Sequence, residues 1–254
     1  MNKNTVDLFF EEIGQGTPFI FLHGFPLDHT TWLPVARLLK DKARCILPDL
    51  RGHGKSPVVG TEATIMLMAE DVTRLMDKLE IPQAVIVGHS MGGYIAMQLA
   101  KSFPDRVNGL GLVATQSEPD APDKAAARLQ SREDVLKNGT AALVENMASR
   151  LTDDISVLQG LRKVMERTHP QGVAMAQFAM VHRNDATPWL SEITLPVVVI
   201  AGAKDKIIQE ETMRRIALLL CSGKYYLSQT ASHMIPIEDP LLVAHALGET
   251  FLKK

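Results

Sequence analysis

The stretch that decides the fold is residues 84–103, which read AVIVGHSMGGYIAMQLAKSF. Its first four residues are apolar without a break, as in a strand that is covered on both faces of a parallel sheet. After the turn, apolar residues recur at the i, i+3, i+4, i+7 spacing of one helical face: Ala96, Leu99, Ala100 and Phe103. The stretch therefore predicts a buried strand that leads directly into an amphipathic helix.

Between this strand and this helix lies GHSMG, residues 88–92, which matches the G-x-S-x-G pattern of a nucleophilic serine. The serine of this pattern sits on a sharp, strained turn, and a Cβ two residues to either side would collide with neighbouring backbone. The following helix points its free N–H groups and its positive end toward the turn, which favours a developing anion. We predict that Ser90 is a nucleophile and that the backbone N–H of Met91 is an oxyanion donor.

Similar alternation of short apolar runs and helical patterns extends to either side. We predict strands at 6–13, 18–22, 43–48, 83–88 and 107–114, with helices at 32–39, 65–79 and 91–103. Residues 124–182 contain helical stretches alone, after which the pattern resumes with strands at 196–201 and 224–227, a helix at 210–220 and a last helix capped by Asp239 and Pro240. This rhythm predicts an α/β core, residues 1–116 and 189–254, interrupted by an all-helical cap, residues 117–188.

Composition narrows the range of partners. Lys and Arg total 27 against 29 for Asp and Glu, so the formal net charge of −2 gives no electrostatic footprint for nucleic acid or an anionic membrane. We expect a small-molecule substrate and, because a secretory leader and a long apolar run are both lacking, a cytoplasmic location. Clustered Cys/His spacing is absent, so neither a metal nor a cofactor is expected; Cys45 and Cys221 are interpreted as small buried hydrophobes.

Four stretches together resemble the α/β-hydrolase superfamily over essentially the whole chain. They are residues 22–26 (LHGFP), residues 49–56 (DLRGHGKS), the turn at Ser90, and residues 232–234 (SHM). Within the superfamily the sequence is similar to small bacterial esterases, enol-lactonases and cofactor-free perhydrolases. The resemblance implies a mostly parallel eight-stranded sheet flanked by helices, with an all-helical cap inserted after the sixth strand.

The resemblance also implies a catalytic triad in the chain order serine, acid, histidine. Asp205 then matches the acid, His233 matches the base, and the backbone N–H of Phe25 matches the second oxyanion donor. Without the resemblance, the sequence still favours His233 as the base, because α/β sheets bind ligands in the loops that follow the carboxyl ends of their strands. For the acid, the sequence leaves two alternatives open, Glu118 and Asp120, which follow the preceding predicted strand.

The substrate pocket is expected beneath the cap, lined by Met147, Met175 and Phe178. Met-rich linings adapt to ligand shape, which suits acyl chains or small aromatic groups. The sequence suggests no paired arginines for a dicarboxylate, although Arg183 or His182 is placed to contact a polar head group.

Three hypotheses follow for the function. The first is a serine hydrolase that cleaves small to medium carboxylic esters through an acyl-enzyme. The second is a specialised relative: an enol-lactonase, a carbon–carbon bond hydrolase, or a perhydrolase, although His89 departs from the Phe often found before the serine in perhydrolases. The third is a hydrolase-fold receptor that binds a small ligand with little turnover, since fold alone does not settle function.

Overall fold

Seven strands form one sheet in the part of the chain that the structure, a computed structural model, describes: residues 4–252. The strands are β1 (Phe10–Ile13), β2 (Thr17–Leu22), β3 (Ala43–Pro48), β4 (Ala84–His89), β5 (Val107–Val113), β6 (Val197–Gly202) and β7 (Gly223–Ser228). Their order across the sheet is β1-β3-β2-β4-β5-β6-β7. Neighbouring strands are parallel except β1 and β3, which are antiparallel.

The described part of the chain contains ten α-helices, some of which cover the two faces of this sheet. They are α1 (Leu33–Leu39), α2 (Ile65–Lys78), α3 (Met91–Ser102), α4 (Pro122–Asn138), α5 (Ala141–Leu151), α6 (Ile155–Arg167), α7 (Pro170–Val181), α8 (Glu210–Leu219), α9 (Ile235–Glu238) and α10 (Pro240–Phe251). Apolar residues of α2, α3 and α8 belong to one core cluster, and those of α1 and α10 belong to a second.

Strand β4 shows why the strands read as unbroken apolar runs. Ile86 packs into the first cluster, whereas Val85 and Val87 pack into the second, because successive side chains of a strand point to opposite faces. All six residues of β4 are buried, and each fully buried Val or Ile stabilises the fold by roughly 1.5–3 kcal/mol. The predicted architecture, a mostly parallel sheet between helices, is confirmed.

Four helices, α4 to α7, connect β5 to β6. Helix α4 packs against α7 and α5 packs against α6. A third apolar cluster joins α5 and α6 to the core, since Val144 and Leu161 pack together with Leu27 and Met234.

Within residues 4–252, the sheet has the seven strands that the apolar runs predict, one fewer than the eight that the family resemblance implies, and its first strand is shorter than predicted. The first predicted strand was to begin at Val6, but in the structure β1 begins at Phe10. The preceding backbone N–H groups bind side chains instead of a strand: Val6 N–H donates to Asp71 Oδ1 at 2.8 Å and Phe9 N–H to Ser56 Oγ at 2.9 Å. In the described chain, five strands precede the helical insertion, not the six that the resemblance implies.

The two cysteines differ in environment. Cys45 is buried in β3, as predicted, but the prediction for Cys221 is wrong because that residue is exposed. It lies just beyond α8, in the turn before β7, where its thiol donates to the carbonyl of Ser191 at 3.2 Å. Among residues 4–252, the helices are too short or too polar to cross a membrane.

Candidate active site

Ser90 occupies the sharp turn between β4 and α3. Its backbone has φ 50° and ψ −114°, a strained conformation for a residue with a side chain. The turn closes only with glycine on both sides, because a Cβ at Gly88 would overlap the backbone of Gly92, and a Cβ at Gly92 would overlap the carbonyl of Leu22. Hydrogen bonds hold the turn, since Ser90 N–H donates to the carbonyl of Val113 at 2.9 Å.

His233 and Asp205 meet beyond the carboxyl ends of β7 and β6. Nδ1 of His233 lies 2.8 Å from Oδ2 of Asp205, and both side chains are almost completely buried. The other carboxylate oxygen, Oδ1, accepts from the N–H groups of Ile207 and Ile208 at 2.7 and 2.9 Å. Both oxygens of Asp205 are therefore held, one by the backbone and one by the imidazole.

The ionisation of Asp205 follows from these contacts. Burial alone would raise the pKa of its carboxyl, but the charge and hydrogen bond of His233, together with the two backbone N–H groups, outweigh burial and lower the pKa. Asp205 is therefore a carboxylate at neutral pH, suited to orient an imidazole and to stabilise its protonated form.

The two alternative acids have other partners. Asp120 is buried and pairs with Arg128 and Arg183 at 2.8 and 3.1 Å. Burial would raise the pKa of Asp120, but these two guanidinium groups lower it to about 2. Glu118 is partly exposed and lies 3.1 Å from Arg215. Of the three candidate acids, Asp205 is the one that contacts Nδ1 of His233.

His89 packs directly against His233. The ring centroids are 4.9 Å apart, and Nε2 of His89 lies 2.8 Å from the carbonyl of His233. Burial, reinforced by the charge of His233, lowers the pKa of His89 to about 3, so its ring is neutral and Nε2 donates to that carbonyl. The neighbouring His233 N–H donates to the carbonyl of Leu151 at 3.1 Å, so contacts from the core and from α5 fix the His233 loop.

The remaining buried histidines in this region are held by backbone groups. Nε2 of His23 accepts from Leu50 N–H at 2.9 Å, and Nδ1 of His23 lies 2.9 Å from the carbonyl of Gly24. Burial, followed by the neighbouring charge of His23, lowers the pKa of His53 to about 3. Nδ1 of His53 also lies 3.0 Å from the carbonyl of Arg51, so both rings support the loops that follow β2 and β3.

The two residues expected to supply oxyanion donors lie in segments next to Ser90. Met91 begins α3, and Phe25 lies in the loop after β2. That loop approaches the serine closely, because a Cβ on Gly24 would lie 3.3 Å from Cβ of Ser90 and 2.7 Å from Nδ1 of His89.

A cavity of about 240 Å³ brings the core and the insertion together. Ser90, His233 and Phe25 line it from the core, and Met147 lines it from α5. Its other aliphatic lining residues are Ala127, Leu143, Met180, Ile207 and Ile208.

Two of the three expected pocket residues lie elsewhere. Met175 is fully buried, with its Cε against the backbone at Gly52, and the ring of Phe178 lies 4.1 Å from that of His182. Both are on α7, whose face could not be read from the sequence because it is apolar almost throughout.

The sequence did not suggest a set of polar residues that lines the same cavity: Lys124, Arg128, Ser131, Asn146, Arg150 and Gln177. A signal did exist, since Lys124 and Arg128 are four residues apart on one predicted helix and so share a face. Arg183, which was expected near a polar head group, instead bonds Asp120 and the carbonyls of Glu118 and Met180.

Away from the cavity, and within residues 4–252, one cluster has side chains that could bind a metal cation: Asp28, His29 and Asp49. Its ligand atoms are already engaged, since Asp49 Oδ1 lies 2.7 Å from Nδ1 of His29 and Asp49 Oδ2 accepts from Lys55 N–H at 2.8 Å. Oδ1 of Asp28 accepts from Thr30 N–H at 3.0 Å. These bonds make the cluster a structural support for the loops around β3.

Comparison with known proteins places the chain in a family. The family model of the α/β-hydrolase fold matches residues 17–240. The chain therefore belongs to the α/β-hydrolase family, whose nucleophile turn corresponds to the arrangement at Ser90. Membership in this family supports the interpretation of this protein as a hydrolytic enzyme.

Individual relatives cover nearly the whole chain. 3-Oxoadipate enol-lactonase 2 from Acinetobacter baylyi is 29% identical over 265 aligned positions, spanning 100% of this chain and 96% of the relative. A thermophilic esterase from Thermogutta terrifontis, solved with malate bound, is 34% identical with a TM-score of 0.95, covering 98% of this chain and 94% of that one. The enol-lactonase from Burkholderia xenovorans LB400 is 26% identical with a TM-score of 0.88, covering 95% of each chain.

Proposed function

We propose that this protein is a serine hydrolase that cleaves small to medium carboxylic esters through an acyl-enzyme. The observation that carries the proposal is the 2.8 Å contact between Asp205 and Nδ1 of His233, next to a cavity that His233 and Ser90 both line. With Nδ1 donating to the carboxylate, the lone pair of His233 lies on Nε2, the atom that a general base needs.

The reaction runs in two halves. His233 Nε2 takes the hydroxyl proton of Ser90 as Oγ attacks the ester carbonyl, and the tetrahedral intermediate collapses when His233 gives that proton to the departing alcohol. Water, deprotonated by His233, then attacks the acyl carbon, and the acid leaves as Ser90 recovers its proton. Asp205 holds the imidazole in the required tautomer and stabilises its protonated form.

Two backbone donors complete the proposed site. The N–H groups of Met91 and Phe25 stabilise the oxyanion of each tetrahedral intermediate, and removal of one such donor typically costs about 3 kcal/mol of transition-state stabilisation. Met91 is suited to this role because its N–H is at the positive end of α3.

We also propose that residues 117–188 act as a cap on a core formed by residues 1–116 and 189–254. Helices α4, α5 and α7 contribute residues to the cavity, so the insertion supplies much of the substrate contact. The apolar lining, with Met147 and Met180, suits an acyl chain of modest length.

Hydrolysis of a p-nitrophenyl ester series from acetate to dodecanoate tests the proposal. We expect turnover with an optimum at short to medium chains, and a loss of at least about a thousandfold in kcat for Ser90→Ala. Ser102→Ala, on the same helix but outside the cavity, is the matched control and should retain activity. Activity that survives Ser90→Ala would overturn the assignment, and inactivity of the folded wild-type protein would favour a ligand receptor.

A second candidate is lactone hydrolysis, which the two enol-lactonases among the relatives favour. The same groups would act, except that the alcohol released by acyl transfer stays attached to the acyl chain. Comparing kcat/KM for an aliphatic lactone with that for the open-chain ester of equal length separates the two candidates.

A further inference from the structure

Three cationic side chains line the cavity that contains Ser90 and His233. Lys124 and Arg128 come from successive turns of α4, and Arg150 comes from the last turn of α5. Among the described residues that line this cavity, none is Asp or Glu. A concave wall with positive charge of this kind raises the local concentration of anions and binds carboxylates strongly.

Behind this wall lies the buried carboxylate of Asp120, which does not balance the charge. It contacts Arg128 Nε at 2.8 Å, Arg183 Nη2 at 3.1 Å and Lys124 Nζ at 3.6 Å. One carboxylate thus faces three cations. Arg128 and Arg183 are largely buried whereas Lys124 is half-exposed, so the excess charge extends from the interior into the cavity.

Lys124 is partly withdrawn from water beside the other cations of this wall. Burial lowers the pKa of its ammonium, and the neighbouring Arg128 and Arg183 lower it further, against the opposing attraction of Asp120. An anion placed in the cavity would stabilise the charged form of Lys124, which burial disfavours, and this attraction would favour anion binding.

Uncharged polar groups stand on the same wall. Gln177 is 1% exposed, and its Nε2 donates to Oγ of Ser131 at 2.9 Å, which leaves the Ser131 hydroxyl proton available to a ligand. Oε1 of Gln177 has no hydrogen-bond partner among the described residues. Because buried polar atoms are normally paired, this atom marks a place for a polar ligand group. A carboxylate there would bind the amide in its turned orientation, in which Nε2 donates to the ligand and Oε1 accepts from the Ser131 hydroxyl instead.

We propose that the substrate is an ester or lactone that carries an ionised carboxylate in addition to its reacting carbonyl. The reacting carbonyl lies at Ser90, on the core side, and the carboxylate lies against Lys124 and Arg128 of α4, with Arg150 at the exposed margin. The cavity of about 240 Å³ is smaller than the roughly 300–1,000 Å³ of pockets for drug-sized ligands, so the substrate is compact. This inference rests on the proposed function, which makes Ser90 the reacting end.

The test compares monomethyl adipate with dimethyl adipate, which has the same chain but no charge. Initial rates of methanol release near pH 7.5 give kcat/KM for each ester, with monomethyl glutarate and pimelate to locate the preferred length. We expect wild-type kcat/KM to be at least about tenfold higher for the anionic ester, through KM, because charge-assisted hydrogen bonds are the strong ones. The preference should shrink as ionic strength rises.

Charge-removing variants locate the site. Lys124→Met and Arg128→Met should each reduce the ratio of the two kcat/KM values about tenfold. Lys137→Met, in the last turn of the same helix and exposed, is the matched control and should leave the ratio unchanged. Arg128 also forms an ion pair with the buried carboxylate of Asp120; if Arg128→Met does not fold, the test uses Lys124→Met, because Lys124 is half-exposed. Equal or better turnover of dimethyl adipate by the wild type, or a ratio insensitive to Lys124→Met, overturns the inference.

Calorimetric binding of both esters to Ser90→Ala separates the two proposals. If the wild-type enzyme hydrolyses dimethyl adipate and shows no preference for monomethyl adipate, the proposed ester hydrolysis is supported and the anion site is ruled out. If the wild type hydrolyses neither ester, but Ser90→Ala binds monomethyl adipate and loses this binding when Lys124→Met is added, ester hydrolysis is ruled out and the anion site is supported. Absence of any difference in binding between the two esters overturns the anion site independently of catalysis.

Discussion

At the scale of single residues, the Asp205–His233 pair determines which nitrogen of the imidazole faces the substrate. Asp205→Asn keeps a side chain that can accept from Ile207 and Ile208, so the loop should retain its conformation. The amide nevertheless favours the wrong tautomer of His233, and we expect kcat for ester hydrolysis to fall by up to about 10⁴-fold. Steady-state kinetics, with circular dichroism as a check of folding, measure this effect.

The opposite pattern would identify another acid. Glu118→Gln, which disturbs only a partly exposed ion pair with Arg215, should leave kcat within a factor of a few. A mild Asp205→Asn together with a severe Glu118→Gln would contradict the assignment of Asp205.

A single residue, Asp120, also makes the free energy of unfolding depend on pH. Its pKa is about 2 in the folded protein against an ordinary value of 3.8, so the carboxylate stabilises the fold above pH 4 and loses that contribution as pH falls toward 2. The contribution is on the order of 2 kcal/mol. We expect Asp120→Asn to lower the free energy of unfolding at pH 7 and the difference from wild type to narrow between pH 4 and pH 2.

Urea unfolding at a series of pH values measures this difference. A gap between wild type and Asp120→Asn that stays constant from pH 7 to pH 2 would show that the carboxylate is not paired as described. The group loses its effect at the acidic end because its folded pKa is depressed.

At the scale of elements, the turn between β4 and α3 depends on the absence of side chains at two positions. Gly92→Ala would drive a Cβ into the carbonyl of Leu22, and we expect a loss of about 1–3 kcal/mol in the free energy of unfolding. Gly160→Ala is the matched control, because its Cβ would meet nothing within 4 Å and it lies within α6. There the substitution should stabilise the protein by about 0.5–1 kcal/mol, since Ala is the better helix former.

Thermal denaturation of both variants measures these effects. Equal tolerance of Gly92→Ala and Gly160→Ala would contradict the steric account of the turn.

The elements that the sequence predicts well are those whose pattern is local. The change from an unbroken apolar run to a helical period at residue 90 marks β4 and α3, and the cap at the last helix is confirmed because Asp239 accepts from Leu242 N–H at 3.2 Å. The start of β1 was not predictable in this way. Val6 and Phe9 read as strand residues, but Asp71 and Ser56, distant in sequence, take their N–H groups.

At the scale of the whole molecule, the candidate site combines two parts of the chain. The residues from the core were predictable because the nucleophile turn and the loops after strands have family patterns. The lining from the insertion was not, because it depends on which faces of α4, α5 and α7 pack inward. Met147 lines the cavity, whereas Met175 packs against Gly52, and the cations of α4 were not predicted from the sequence.

The central claim, that Ser90 carries the acyl group during ester cleavage, can be tested by one measurement on the intact protein. Acid quenching during turnover of p-nitrophenyl hexanoate, followed by mass spectrometry, should find one hexanoyl group on the peptide that contains Ser90. Ser90→Ala should show neither the adduct nor the turnover. An adduct on another residue, or undiminished turnover by Ser90→Ala, would contradict the account.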